Sequence, residues 1–173
     1  MPSVENSGLS SLKLEYDANI NPNIFRQLCQ LDLKQVINKG KVALQEQAQQ
    51  IAAVLKSSFV VTLGGVSDSQ KQWGSCLAVR TDSSLAQLRS SIGNALAEAS
   101  LSQGLRAIGV VAYIEEAMQS PTKIKVSLRS IGDEDTTAVS QAYGGGGHKN
   151  ASSFVTDVQE FENWSQTIQG DTN

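Results

Sequence analysis

The segment TKIKVSLRS, residues 122–130, narrows the possible folds more than any other stretch of this chain. Ile124, Val126 and Leu128 alternate with Lys123, Lys125, Ser127 and Arg129, the period of two that a β-strand imposes on its faces. One face has to meet a core, and the other presents three cations and a hydroxyl. A strand of this kind needs partners, and four further runs supply them: SFVVTLGG (58–65), WGSCLAVRT (73–81), RAIGVVAYIEE (106–116) and ASSFVT (151–156). The nearly continuous apolar centre of 106–116 predicts a strand buried on both sides.

Helical spacing fills the gaps. Leu85, Leu88, Ile92, Leu96 and Ala99 fall on one face of a helix that Ser83 or Ser84 caps and Gly104 ends. Shorter helices are expected over 135–143 and in VQEFENWSQTI (158–168). The resulting class is α/β (α+β), a mixed five-stranded β-sheet flanked by helices, with an N-terminal helical arm. The arm carries Ile37, Leu44, Ile51 and Leu55 on one stripe, with Gly40 inside it and a short helix through Phe25 and Leu28 before it. The expected organisation is a polar tail over 1–22, the arm over 23–58, a binding domain over 59–168 and a tail over 169–173.

With 173 residues there is room for one domain and an arm, and a net charge of −3 argues against a chain that coats nucleic acid through a global positive field. Cys29 and Cys76 stand apart and suit packing positions in a reducing compartment. No apolar run reaches the roughly 18 residues a membrane span requires. A soluble intracellular protein, in the cytoplasm or an organelle, is the expectation.

Chemistry concentrates in AYGGGGHKNASSF, residues 142–154, where Gly144, Gly145, Gly146 and Gly147 lead into His148, the single histidine. Four glycines can curl their amides into a concavity for a phosphate or carboxylate; the plainer reading is a flexible connector. His148, Lys149 and Asn150 add donors at its end. Arg129 and Ser130 close the amphipathic strand 14 residues before Gly144, so a helix and a turn bring them towards the loop. A guanidinium suits bidentate phosphate binding, whereas Lys123 and Lys125 read either as a solvated face or as an extension of the positive field. Asp133, Glu134 and Asp135 are expected to cap the helix that follows.

These residues are familiar together. KVSLRS (125–130) followed by GGGGHKNAS (144–152) resembles the DHH-associated (DHHA-type) C-terminal substrate-binding domain of DHH-family phosphoesterases. In that family a separate domain with an Asp-His-His motif holds manganese and hydrolyses phosphodiester bonds, while the C-terminal domain grips the substrate. The resemblance covers about residues 60–165, with 32–57 as the connector between domains. It implies that Arg129, Ser130, Gly144 to Gly147, His148 and Asn150 contact a nucleotide or short single-stranded nucleic acid, with Ser127, Lys125 and Lys149 as auxiliaries.

Two departures stand out. The family often reads Ala-Ala-Gly where this chain has Ala151, Ser152 and Ser153, and the chain contains no Asp-His-His. The resemblance therefore implies no catalytic residue, metal ligand or cofactor here; manganese goes with the missing domain, supplied in cis or trans. Either a fragment of a longer enzyme or a stand-alone binding module fits that absence, and the linker-like opening favours the fragment. The alternative is a tRNA-contacting or dimerisation module like the C-terminal domain of alanyl-tRNA synthetases, with the arm pairing two copies.

Overall fold

The computed structural model describes residues 29–65 and 73–165; the expected short helix at Phe25 and Leu28, most of the loop after Gly65 and both tails lie outside them. Two compact units, 1–50 and 51–173, divide the chain within one long helix, α1 (Leu33–Leu55). Asp32 starts α1 by accepting from the backbone N–H groups of Lys34 and Gln35 at 2.9 and 3.2 Å. The helix runs unbroken through Gly40, which is buried.

The second unit is built on six strands: β1 (Phe59–Thr62), β2 (Ser75–Arg80), β3 (Ile108–Tyr113), β4 (Lys123–Ser130), β5 (Gly146–His148) and β6 (Ala151–Asp157). They form one sheet in the order β1-β2-β3-β4-β6-β5, parallel between β2 and β3 and antiparallel elsewhere. Five strands were expected and six are present among the described residues. The additional one, β5, lies inside the glycine run, where Gly146, Gly147 and His148 pair with Ser153, Ser152 and Ala151. Its residues carry no alternation of apolar and polar side chains, so hydrophobic period cannot reveal it.

Helix α2 (Arg89–Ser102) connects the parallel pair. A 3₁₀ segment, Ser83–Leu88, precedes it, and the cap belongs to Asp82, whose carboxylate accepts from the Ser84 N–H at 2.8 Å. The Ser84 hydroxyl donates to the same oxygen, and these two bonds hold the Asp82 carboxyl below its usual range. Two short helices complete the unit, α3 (Thr137–Ala142) and α4 (Val158–Trp164).

The sheet's two faces are covered differently. On one, Val61, Ile108, Val126, Leu128 and Phe154 pack with Val139 of α3 and with Phe161 and Trp164 of α4. On the other, Leu77, Val79, Val111 and Tyr113 meet Leu88, Ile92 and Leu96, joined by Ile51, Val54 and Leu55. That second cluster lies over β2 and β3. Farther along, on β4, β6 and β5, the same face is polar and only partly covered.

Cys76 sits in the first cluster with none of its surface exposed, whereas Cys29 is exposed. Burial pushes the Cys76 thiol up to about 12, against an opposing pull from Arg106. At pH 8 about one Cys76 in ten thousand is then thiolate, the reactive form. Native protein should consume one equivalent of a thiol reagent such as DTNB rapidly and the second only in denaturant. Equal rates for both thiols without denaturant would contradict this burial.

Candidate functional site

Strand alternation sorts the residues of interest. Residues paired directly across a sheet share a face, so the register Lys125↔Val155, Ser127↔Ser153↔Gly146 and Arg129↔Ala151↔His148 puts this whole set on the face that carries α2. Ser130 and Ser152 belong to the opposite, buried face.

Arg129 reaches along this face towards α2. Its Nη2 donates to the Ser90 hydroxyl at 2.9 Å, and its stem lies against Gly93, where an added Cβ would come within 2.7 Å of Arg129 Cγ. Glycine at 93 is what lets the arginine lie flat on the helix. Among the described residues no carboxylate lies within ion-pair distance of Arg129. The lysines near the site are matched. Lys125 Nζ meets Glu115 at 2.9 Å, a bond that raises the lysine above its usual range, and Lys149 meets Asp133 at 3.3 Å.

The glycine run divides by function. Gly144 takes a left-handed φ of 71° and its N–H donates to Gln141 O at 3.0 Å, while the Gly145 N–H donates to Ser140 O at 2.8 Å. Both amides therefore cap α3, and the run is not a concavity of four free donors. Gly145 and Gly147 lie against the backbone of β6. Gly146 has an ordinary φ and open space where a side chain would stand, directly beside Ser153 on the polar face. His148 is exposed at the end of β5 on that face.

Behind the sheet, hydroxyls tie the loops together. Ser140 donates to Ser152 at 2.6 Å, Ser152 donates to Thr136, and Thr136 Oγ1 donates to Lys149 O at 3.1 Å. Ser130 Oγ donates to Glu134 O at 2.8 Å and accepts from Asn150 Nδ2 at 3.0 Å. Ser130 and Asn150 thus engage each other, on the side of the sheet away from Arg129. Ser152 is the centre of the hydroxyl chain.

The acidic cluster splits three ways. Asp135 accepts from the Thr137 hydroxyl and N–H at the start of α3, Asp133 pairs with Lys149, and Glu134 pairs with Arg106. Hydrogen bonds from Arg106 hold the Glu134 carboxyl below its usual range. Arg106 also donates to Trp73 O at 2.5 Å, so one guanidinium joins the entry to β2 to the loop before α3.

Among the described residues no three His, Cys, Asp or Glu side chains converge. The polar face offers instead an uncompensated guanidinium, the hydroxyls of Ser90, Ser127 and Ser153, and the His148 imidazole. This donor set suits an oxyanion. Ser90, Gly93 and Ser153 have no distinctive sequence signal, because their place follows from helix-on-sheet packing.

No family model matches the chain, and no curated protein matches it. Solved structures that match include an exopolyphosphatase-related protein from Bacteroides fragilis, 16% identical over 85% of this chain and 43% of that one, with a TM-score of 0.40. Another is the pGpG-specific phosphodiesterase PggH from Vibrio cholerae, 12% identical over 79% of this chain and 41% of that one, also at 0.40. The chain spans less than half the length of either of these structures.

Proposed function

We propose that the polar face of β4, β6 and β5 binds the phosphate of a nucleotide or short single-stranded nucleic acid, as the substrate-gripping domain of a DHH-type phosphoesterase. One observation carries this reading: Arg129 lies on an accessible sheet face, hydrogen-bonded among the described residues only to neutral oxygens, Ser90 Oγ and Leu128 O, while each lysine beside the site is matched by a carboxylate. A guanidinium held in place without its own anion favours an incoming one, and it forms two parallel bonds to phosphate. Gly146 leaves room for the ligand beside Ser153, and His148 closes the far edge about two strand spacings, roughly 10 Å, from Arg129.

The chain by itself binds without hydrolysing; a DHH domain in cis or trans brings the manganese and the chemistry. A nucleotide ligand agrees with an intracellular setting, and no described helix is long and apolar enough to cross a membrane.

Calorimetric or NMR titration with AMP and with adenosine tests the reading. AMP should bind measurably more tightly than adenosine, and Arg129→Ala should weaken AMP binding at least tenfold while the protein stays folded, the loss expected for a charge-assisted pair of about 1.5 kcal/mol or more. Equal affinities for AMP and adenosine, or an Arg129→Ala variant that binds AMP like the parent, would overturn it.

A further inference from the structure

We infer that Ser90, in the first turn of α2, is a further specificity-determining contact of the Arg129 site. It holds the guanidinium from one side and donates its own proton to the bound anion, so that the site selects a tetrahedral oxyanion over a planar carboxylate. The inference rests on the reading of Arg129 as an anion contact and adds to it a residue outside the strand and the glycine loop.

A hydroxyl both accepts and donates. Ser90 is exposed, and its oxygen accepts from Arg129 Nη2 at 2.9 Å. That is its one side-chain hydrogen bond among the described residues, so its proton is unspent. Accepting from a cation polarises a hydroxyl towards donating, and an anion in front of the same guanidinium is the acceptor it lacks. Arg129 has a second bond, to Leu128 O at 3.5 Å, which still leaves N–H groups for that anion.

The place of Ser90 is fixed from behind. No side chain caps α2, and the residue before Ser90 does the anchoring. The Arg89 guanidinium lies over the Tyr113 ring, its Cζ 3.5 Å from the centroid, and its Nη2 donates to Asp82 O at 3.1 Å. Its Nε is buried, so this arginine serves the fold and is not offered to a ligand. Successive helix residues point about 100° apart, so with Arg89 laid on β3 the next side chain turns towards β4. There Arg129 sits beside Gly109, the position of β3 on which α2 rests. Gly93, on the same helix face as Ser90, carries no side chain to separate the helix from the arginine.

This arrangement sets a preference among anions. A guanidinium fork takes two oxygens of its partner. A carboxylate has no third oxygen, whereas a phosphate does, and Ser90 at the edge of the fork is the donor placed to meet it. Removing that hydroxyl therefore falls on one class of anion.

The test titrates the full chain and its Ser90→Ala, Ser90→Thr and Ser90→Asp variants with AMP and with adenosine 5′-carboxylate, in which a carboxyl group replaces the phosphate. Ser90→Ala should weaken AMP binding about tenfold, the loss of one hydrogen bond to a charged group, and carboxylate binding less than about twofold. Ser90→Thr keeps the hydroxyl and should bind AMP within about threefold of the parent. Ser90→Asp puts a carboxylate on Arg129 and should abolish AMP binding, with a urea midpoint no lower than the parent's. Equal losses of both ligands in Ser90→Ala would mean that the serine only orients Arg129, and would overturn the contact. Unchanged AMP binding in Ser90→Ala, or in Ser90→Asp, overturns it as well and leaves the Arg129 reading intact. An Arg129→Ala variant that binds AMP like the parent overturns both.

Discussion

Gly145→Ala and Gly147→Ala are each expected to destabilise the chain by about 3 kcal/mol, whereas Gly146→Ala should stay within about 0.5 kcal/mol of the parent. All three replace glycine with one methyl group in a four-residue run, so composition alone predicts no difference. The difference comes from what the methyl group meets. At Gly145 it would press on Ser153 O and come within 2.5 Å of Phe154 Cβ and 2.8 Å of Phe154 Cα. Residue 145 cannot retreat, because its N–H is bonded to Ser140 O at the end of α3. At Gly147 the methyl group would meet Ala151 O and Ser152 Cα, and φ is 143°, where L-residues are strained. Strand β6 cannot yield, since β4 holds it through seven paired positions and Ser152 anchors the buried hydroxyl chain. At Gly146 nothing lies within 4 Å. Urea unfolding of the three variants gives the comparison directly, with the midpoint as the readout and the slope as a check on two-state behaviour. A larger Gly146→Leu variant should also fold but lose AMP binding, because its side chain fills the face beside Ser153. Three equal destabilisations would mean that the run is a tight turn throughout and that no position on it has been left open for a ligand.

The same contrast explains which parts of the fold and site were legible in the amino-acid sequence. The alternation from Lys123 to Ser130 announces β4 and its two unequal faces, and apolar runs mark β1, β2, β3 and β6. Strand β5 is invisible to hydrophobic period because two of its three residues are glycine, and its pairing exists because backbones without Cβ atoms can approach β6. Arg129 and Ser130 are adjacent in sequence, yet a period of two places them on opposite faces; proximity along a strand is not proximity in a site. Arg89 reads as an ordinary helix-start residue. Only the approach of α2 to β3 puts it over Tyr113, and that approach depends on glycines far apart in sequence, Gly93 and Gly109. Positions brought together by packing between elements leave no local pattern.

That dependence makes Gly109→Ala the most damaging small substitution to be expected in the chain, at about 4 kcal/mol. Gly109 is the second residue of β3, flanked by β2 and β4, with α2 lying directly on it. A Cβ there would collide with Gly93 O and come within 2.7 Å of Leu96 Cβ and 2.8 Å of Ala97 N. Two of these are backbone atoms of a helix, so no rotamer change relieves the contact, and the helix has to lift. Overpacking of this kind costs about 1–3 kcal/mol. Lifting α2 also breaks a buried bridge: Ser100 Oγ accepts from Leu77 N–H at 2.8 Å and donates to Ile108 O at 2.9 Å, tying the helix to β2 and β3 at once. Leaving those strand groups without partners adds about 1–3 kcal/mol. The sum approaches the whole stability of a small domain, about 5–15 kcal/mol. The variant should therefore melt on the order of 10 °C or more below the parent, and whatever remains folded should bind AMP weakly, since Ser90 and the Gly93 bed of Arg129 move with the helix. A Gly109→Ala protein within 1 kcal/mol of the parent would show that α2 does not rest on β3 at this position, and the placement of Arg129 over the polar face would lose its support.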